Sequence, residues 1–490
     1  MPKALRISIP SIPAGAVVPP LHPYAVQEAA ERIAELLTTQ RQRQGRNGRT
    51  LILTGAGISV DSGIAPYRGE GGHYEVHKSY RPIYYSEFSG LDQGGHRARQ
   101  RYWNRSYLGF PPVRYARPNP AHMAIAAMQR LGFVPNYITQ ASLIRRLHAS
   151  GFQNVDSLHH AATPSPSLAA QTILELHGTL QHVVCIASPP EYKSTHPHGH
   201  HGAPSPLDPD FRETLLSYPP PPPLPESSKF TTAPSLNEHS KHSNRTRPPD
   251  PVEYNTPSGR SAYPLGCGFR GSRAAMQDEL GRLNPRWEEF GRELMIGRAR
   301  AAAAAAAHGE AGADAEGRSG KKEPKMNPDG DIDLGDGVDY STFKYPPCPH
   351  CGGILKPAVV FFGETVPTLL KDRATELVDQ SSAMLVVGSS LATYSAFRLI
   401  KQALDHRSDP EQQHDRRPRD ITVLNIGPTR ADPLLPERAK IELGSSEVLS
   451  LAARLLAGGR EKDDPVLRNL LEGGEIVRRD GQAASRVASS

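Results

Sequence analysis

Residues 49–68, RTLILTGAGISVDSGIAPYR, decide how this chain is read. The apolar run Leu51-Ile52-Leu53 predicts a buried parallel strand. It delivers the backbone into Gly55-Ala56-Gly57, where two residues without a Cβ allow close approach to a ligand. Ser59, Asp61 and Ser62 then predict a helix cap whose N-terminal amides face a phosphate. This is a dinucleotide pocket in outline. Because Gly-x-Gly after a strand also builds plain strand-to-helix turns, the surroundings must carry the argument.

Upstream, Val26, Ala29, Ile33, Leu36 and Leu37 have helical spacing behind Pro23, and predict a helix feeding the strand. Residues 1–22 carry Lys3 and Arg6, with no acid before Glu28, and are expected to be a mitochondrial targeting segment or a disordered tail. Downstream, 69–101 is rich in Gly, Tyr, His and charge without a clean period, and a mobile loop beside the pocket is expected. Asn119 before Pro120 is a turn signal and His122 a helix-start residue, so both are assigned to structure. Tyr137-Ile138-Thr139 predicts a second strand. Met384 to Val387 opens into Gly388-Ser389-Ser390, and the strand ending at Leu424 opens into Asn425-Ile-Gly427. Repeated strand-to-polar-turn junctions of this kind suit an α/β fold, a Rossmann-like doubly wound parallel sheet gripping both ends of a dinucleotide.

The chain has 490 residues, but only 37% are hydrophobic and it holds 47 prolines and 43 glycines, so much of the length is not packed core. Its net charge of +6 is too small and dispersed to argue for nucleic acid. No apolar run is long enough to cross a bilayer. The four cysteines are Cys185, Cys267, Cys348 and Cys351, and the Cys348-Pro-His-Cys351 spacing favours metal over disulfides.

Several motifs together resemble those of the sirtuins, the NAD-dependent protein deacylases. They are Gly55 to Ser59, Ser62-Gly63-Ile64 with Tyr67-Arg68, Asn154-Val155-Asp156, Glu175-Leu176-His177-Gly178 and Cys348-Pro-His-Cys351, in the family order. Arg101-Tyr102-Trp103, PNPAH at 118–122, PHCGGILKPAVVFFGE at 349–364 and LNIGPTRAD at 424–432 resemble the class II, mitochondrial members. The resemblance implies NAD contacts at Gly55, Ala56, Gly57, Ser59, Ile64, Tyr67, Arg68, Asn154, Asp156, Gly388, Ser389, Ser390, Asn425 and Gly427. It implies nicotinamide release, attack of an acyl-lysine oxygen on the ribose, and His177 as general base, with Asn154 and Asp156 at the nicotinamide pocket. Gln140 and Gln153 flank an insertion at 141–152; Gln153 is favoured for the NAD contact because it stays joined to Asn154. Residues 161–171 read as a second spacer.

The resemblance further implies that Val360, Phe361 and Gly363 border the acyl-lysine channel of a protein substrate. Tyr74 stands in the loop where acidic-acyl specialists carry Tyr and Arg; without the Arg, a desuccinylase is not expected. ADP-ribosyl transfer, or a silent NAD- and zinc-binding protein, would share many motifs; the presence of His177, Asn154 and Asp156 favours the deacylase.

A structural zinc held by Cys185, Cys267, Cys348 and Cys351 is also implied, with Cys267 displaced from its partner by about 80 residues of low complexity. Stretching a two-residue spacer that far costs about 3 kcal/mol of closure entropy, against roughly 10 to 16 kcal/mol for a structural zinc. The expected layout is a first NAD-binding part at 23–180 and a small zinc module at 181–355 with insertions near 188–264 and 296–340. A second NAD-binding part follows at 356–457, then a disordered tail at 458–490.

Overall fold

The computed structural model describes residues 24–42, 50–64, 83–139, 158–186, 269–308, 325–326, 332–333, 338–350, 352–405 and 419–477. Its strands are β1 (Thr50–Thr54), β2 (Tyr137–Thr139), β3 (Ile173–Glu175), β4 (Gly178–Cys185), β5 (Arg270–Ser272), β6 (Lys325–Met326), β7 (Ile332–Asp333), β8 (Leu355–Val359), β9 (Ala383–Val387), β10 (Asp420–Leu424) and β11 (Lys440–Ile441). The longer helices are α1 (Tyr24–Gln42), α2 (Gln93–Tyr115), α3 (Pro120–Arg130), α4 (Arg273–Leu283), α5 (Pro285–His308), α6 (Thr368–Asp379), α7 (Tyr394–Asp405), α8 (Ser445–Ala457) and α9 (Pro465–Glu472).

Six strands form one sheet in the order β11-β10-β9-β1-β2-β3, and every pairing is parallel. The apolar runs alternate between its faces, as a two-residue period requires. Ile52, Tyr137, Leu385, Val387 and Leu424 join the cluster beneath α1, α3 and α8. Leu51, Leu53, Ile138, Met384, Val386 and Val423 join the cluster beneath α6 and α7. Both faces are covered, which is why these strands read as continuous apolar runs. The sheet is the parallel, Rossmann-like one expected, and its order reverses between β1 and β9.

A second, antiparallel sheet has the order β5-β4-β8. Against it lie residues of α2 and α4 with Phe343 and Trp287, in one cluster that also holds Cys185 and Cys348.

Three expectations are corrected. Residues 83–101, expected within a mobile loop, hold the turn Tyr85–Phe88 and the start of α2. The period was hidden because α2 buries arginine: Arg99 is fully covered and donates to the Phe88 and Gly90 carbonyls. Residues 161–171, read as a spacer, lie mostly in two short helices, Leu158–Ala162 and Pro166–Thr172, the second capped by Ser165. Residues 298–307, helix-prone within the low-complexity stretch from 296, form the last turns of α5, and Phe343, in the segment before Cys348, is buried in the small module.

The tail from Gly458, expected to be disordered, is built through Val477. There α9 packs Leu467, Leu470 and Leu471 into the core beside α3. Residues 1–22 and the sites at Tyr67, Arg68, Tyr74, Gln140, Gln153, Asn154, Asp156, Cys267 and Cys351 lie outside the described residues. Among the described residues, no helix is long and apolar enough to cross a membrane.

Candidate active site

The crevice at the carboxyl ends of β1 and β9 is where a doubly wound sheet binds ligands. Gly55 N donates to the Val387 carbonyl at 2.9 Å and Gly57 N to the Gly388 carbonyl at 2.8 Å. A Cβ on Gly55 would lie 2.6 Å from both the Gly388 oxygen and the Ser389 Cβ; on Gly57 it would lie 2.7 Å from the same oxygen. A Cβ on Gly388, at φ +58°, would come closer still to Ile58 N. These glycines are needed so that the two loops can touch each other, with the backbone of each lying where the other's side chain would be.

Residues 56–59 form a single tight turn of 3-10 helix, not the start of a capped α-helix. The three polar residues read as caps bond elsewhere. Ser59 Oγ lies 3.4 Å from His122 Nε2, Asp61 accepts from Ser446 Oγ, and Ser62 bridges to Val477. Asn119 caps α3 and donates to the Ile58 carbonyl at 2.7 Å. The structural assignment of Asn119 and His122 is thus refined: both brace the turn from below.

His159 lies beside His122, their rings 4.7 Å apart, and its Nε2 is 3.0 Å from Thr54 Oγ1. Burial pushes His159 down to about 3. Burial, reinforced by His159, holds His122 well below the usual histidine range. Both are neutral spacers in the floor of the site, unable to carry charge near neutral pH. Sequence reasoning missed His159, since a His pair after a loop has no informative spacing.

On the β9 side, Ser389 is buried and its Oγ accepts from Leu391 N, while Leu391 takes a left-handed φ of +53°. Ser390 accepts from Arg430 N. Asn425 donates from its amide to the Ile426 and Gly427 carbonyls, shaping the turn after β10. Ile64 is buried against Phe110, Leu158 and Leu180. The described members of the expected NAD set therefore gather at one end of the sheet.

His177 sits in the turn between β3 and β4, where Gly178 has φ +77°. Its carbonyl accepts from Val360 N at 2.7 Å, and its Nε2 is 2.6 Å from Ser395 Oγ. Strand β8 ends at Val359, so Val360 and Phe361 lie in the turn beyond it. Phe361 N donates to Glu364, whose carboxylate also holds Lys356 at 3.0 Å. Lys356 is buried over the Phe361 ring, and burial lowers its pKa while Glu364 raises it. Gly363, at φ +77°, closes the turn.

Phe362, Tyr394 and Ile426 remain 42%, 62% and 72% exposed.

Of the expected zinc ligands, Cys185 and Cys348 are buried in one cluster. Cys185 N donates to the Phe269 carbonyl, two residues after Cys267, and Cys348 N to the Gly353 carbonyl, two after Cys351. Segments adjoining all four cysteines converge at the end of β4. Among the described residues no group of three metal-binding side chains is found.

A sequence model of the Sir2 family matches residues 55–201 and 322–395. The chain is 31% identical over 427 residues to "NAD-dependent protein deacylase SIR4" of Batrachochytrium dendrobatidis, covering 86% of this chain and 93% of that one. It is 30% identical over 399 residues to "NAD-dependent protein deacylase SRT2" of Arabidopsis thaliana, with 81% and 71% covered. A "NAD-dependent protein deacetylase" of Bordetella bronchiseptica is 30% identical over 406 residues, with 83% and 93% covered.

Proposed function

The chain belongs to the Sir2 family, and from that premise we propose that it is an NAD-dependent protein-lysine deacylase, moving the acyl group to ADP-ribose and releasing nicotinamide. The observation that carries the reading is the 2.6 Å contact of His177 with Ser395. It joins the turn after β3 to the helix after β9, and so brings the expected general base to the crevice where the glycine loops meet.

The residues present fit NAD. The glycine loops, with Ser389, Ser390 and Asn425, would hold its phosphates and riboses at the carboxyl ends of the strands. NAD supplies the bond to nicotinamide whose cleavage opens a ribose carbon to the acyl oxygen of the modified lysine. His177 would accept the proton of a ribose hydroxyl on a ring nitrogen. The buried floor of Thr54, His122 and His159 excludes water below it, and the Val360 to Gly363 turn borders the acylated lysine.

The class II assignment rests on the motifs at 349–364 and 424–432, and with it we propose a mitochondrial site of action, to be checked by imaging the tagged full chain. The burial of Cys185 and Cys348 where the other cysteine segments converge supports a structural zinc of four thiolates, closed to substrate.

NAD-dependent nicotinamide release against a panel of acyl-lysine peptides tests the reading. Peptide-dependent release is expected from the intact protein, with a loss of about a hundredfold or more in His177→Ala. Release equal in both proteins would remove the deacylase.

A further inference from the structure

We propose that Ser395 is the positioning residue for His177: its hydroxyl holds the imidazole in the orientation and tautomer from which the ring takes its proton. The inference deepens the deacylase reading and rests on it for the identity of the step.

Among the described residues, His177 is held by Val360 through its backbone and by Ser395 through its ring. Its carbonyl receives the Val360 N–H, which fixes the backbone of the turn after β3. Its Nε2 meets Ser395 Oγ at 2.6 Å, which orients the ring about its side-chain torsions. Ser395 owes its place to the path of the chain after β9. Gly388 and Leu391, both with left-handed φ, turn the backbone back over the sheet, and α7 then starts at Tyr394. Ala396, Leu399 and Ile400 of α7 are fully buried, so the helix that presents Ser395 is seated firmly on the core.

The chemistry suits a hydroxyl. A neutral imidazole has one N–H and one lone pair, and an imidazolium has two N–H groups. A serine hydroxyl both donates and accepts. With Nε2–H donating to the Ser395 oxygen, the ring's lone pair is held on Nδ1, and the same Nε2–H···Oγ bond persists when the ring is protonated without any heavy atom moving. The proton leaves the ribose oxygen and arrives on Nδ1 of His177; Ser395 gains or loses none. A carboxylate there would favour the charged ring and hold the base protonated near neutral pH. A hydroxyl orients it without that cost.

The test compares intact protein with Ser395→Ala, Ser395→Thr and His177→Ala, by steady-state kinetics and by ring nitrogen NMR of labelled histidine, the His177 signals being those absent from His177→Ala. Ser395→Ala is expected to lower kcat about tenfold or more while the KM for NAD stays within about twofold. It is also expected to move the His177 Nε2 signal, and Ser395→Thr, which keeps the hydroxyl, to restore both. An unchanged His177 signal in Ser395→Ala would overturn the inference, as would an unchanged kcat in a protein whose activity requires His177. If no variant, nor the intact protein, releases nicotinamide while the signal still moves, the pairing stands and it is the deacylase reading that fails.

Discussion

His159 shares a hydrogen bond with Thr54 and packs its ring edge-on against His122 and Tyr137, all of them buried. Its pKa is lowered by burial from 6.5 to about 3. The unfolded chain binds this proton as pH falls through 6.5; the folded chain refuses it until near 3. The stability contributed is therefore complete above pH 6.5 and is lost as pH falls through that window, at up to about 1.4 kcal/mol per pH unit for each such histidine. Urea midpoints measured at pH 7 and pH 5 should fall with acid, and His159→Gln should be less stable at pH 7 but flatter with pH. Parallel pH profiles for the two proteins would contradict this. The LH pair at 158–159 gave no hint of such a role, because burial beneath a loop is not a local property of the chain. Lys356 and Glu364 are a similar case: VVFFGE was singled out only through the family resemblance, and neither the end of its strand at Val359 nor the buried ion pair that braces the turn was legible.

At the scale of elements, apolar runs and helical periods were the most legible. α1 spans the residues with helical spacing after Pro23, and β1, β9 and β10 stand where the apolar runs predicted strands. α2 escaped because its buried face mixes Arg99, Gln100, Asn104 and Arg105 with aromatic residues, which breaks the apolar period. α9 escaped because its eight residues follow a glycine pair and carry charge on the exposed side.

That last element matters to the site. Asp464 caps α9 and pairs with Arg130 of α3. Glu475 N then donates to the Pro118 carbonyl and Val477 N to the Asp61 carbonyl, strapping residues 475–477 across the base of the glycine loop. Burying three leucines is worth several kcal/mol at the usual ~1.5 to 3 kcal/mol each. A protein ending at Gly458 should melt several degrees lower and bind NAD more weakly than the full chain. Equal melting temperatures and equal NAD affinity would show the strap to be dispensable.

For the whole molecule, the small antiparallel sheet and the large parallel one differ in what holds them. The large sheet has apolar clusters on both faces. The small one gathers a single cluster around β4, with two cysteines in it. Both tryptophans of the chain, Trp103 and Trp287, are in or against that cluster, so their fluorescence reports on the small module. Metal analysis is expected to find about one zinc per chain, and a strong chelator or Cys348→Ser to change the tryptophan emission, because structural zinc contributes folding energy directly. Protein without zinc whose emission ignores the chelator would remove the zinc from the proposal.

Read alone, the chain determined the parallel α/β sheet, the glycine loop and the histidine turn, because each is written in adjacent residues as an apolar period, a glycine where backbone must turn, or a short family motif. Only the tertiary structure decided that the glycines serve loop-to-loop contact, that His159 and His122 lie neutral under the loop, that residues 475–477 return to strap it, and that Ser395 meets His177. Those pairs are separated by tens to hundreds of residues, and what joins them is the crossing order of the sheet, which brings the carboxyl ends of β1, β3 and β9 to one crevice whatever the length of chain between them.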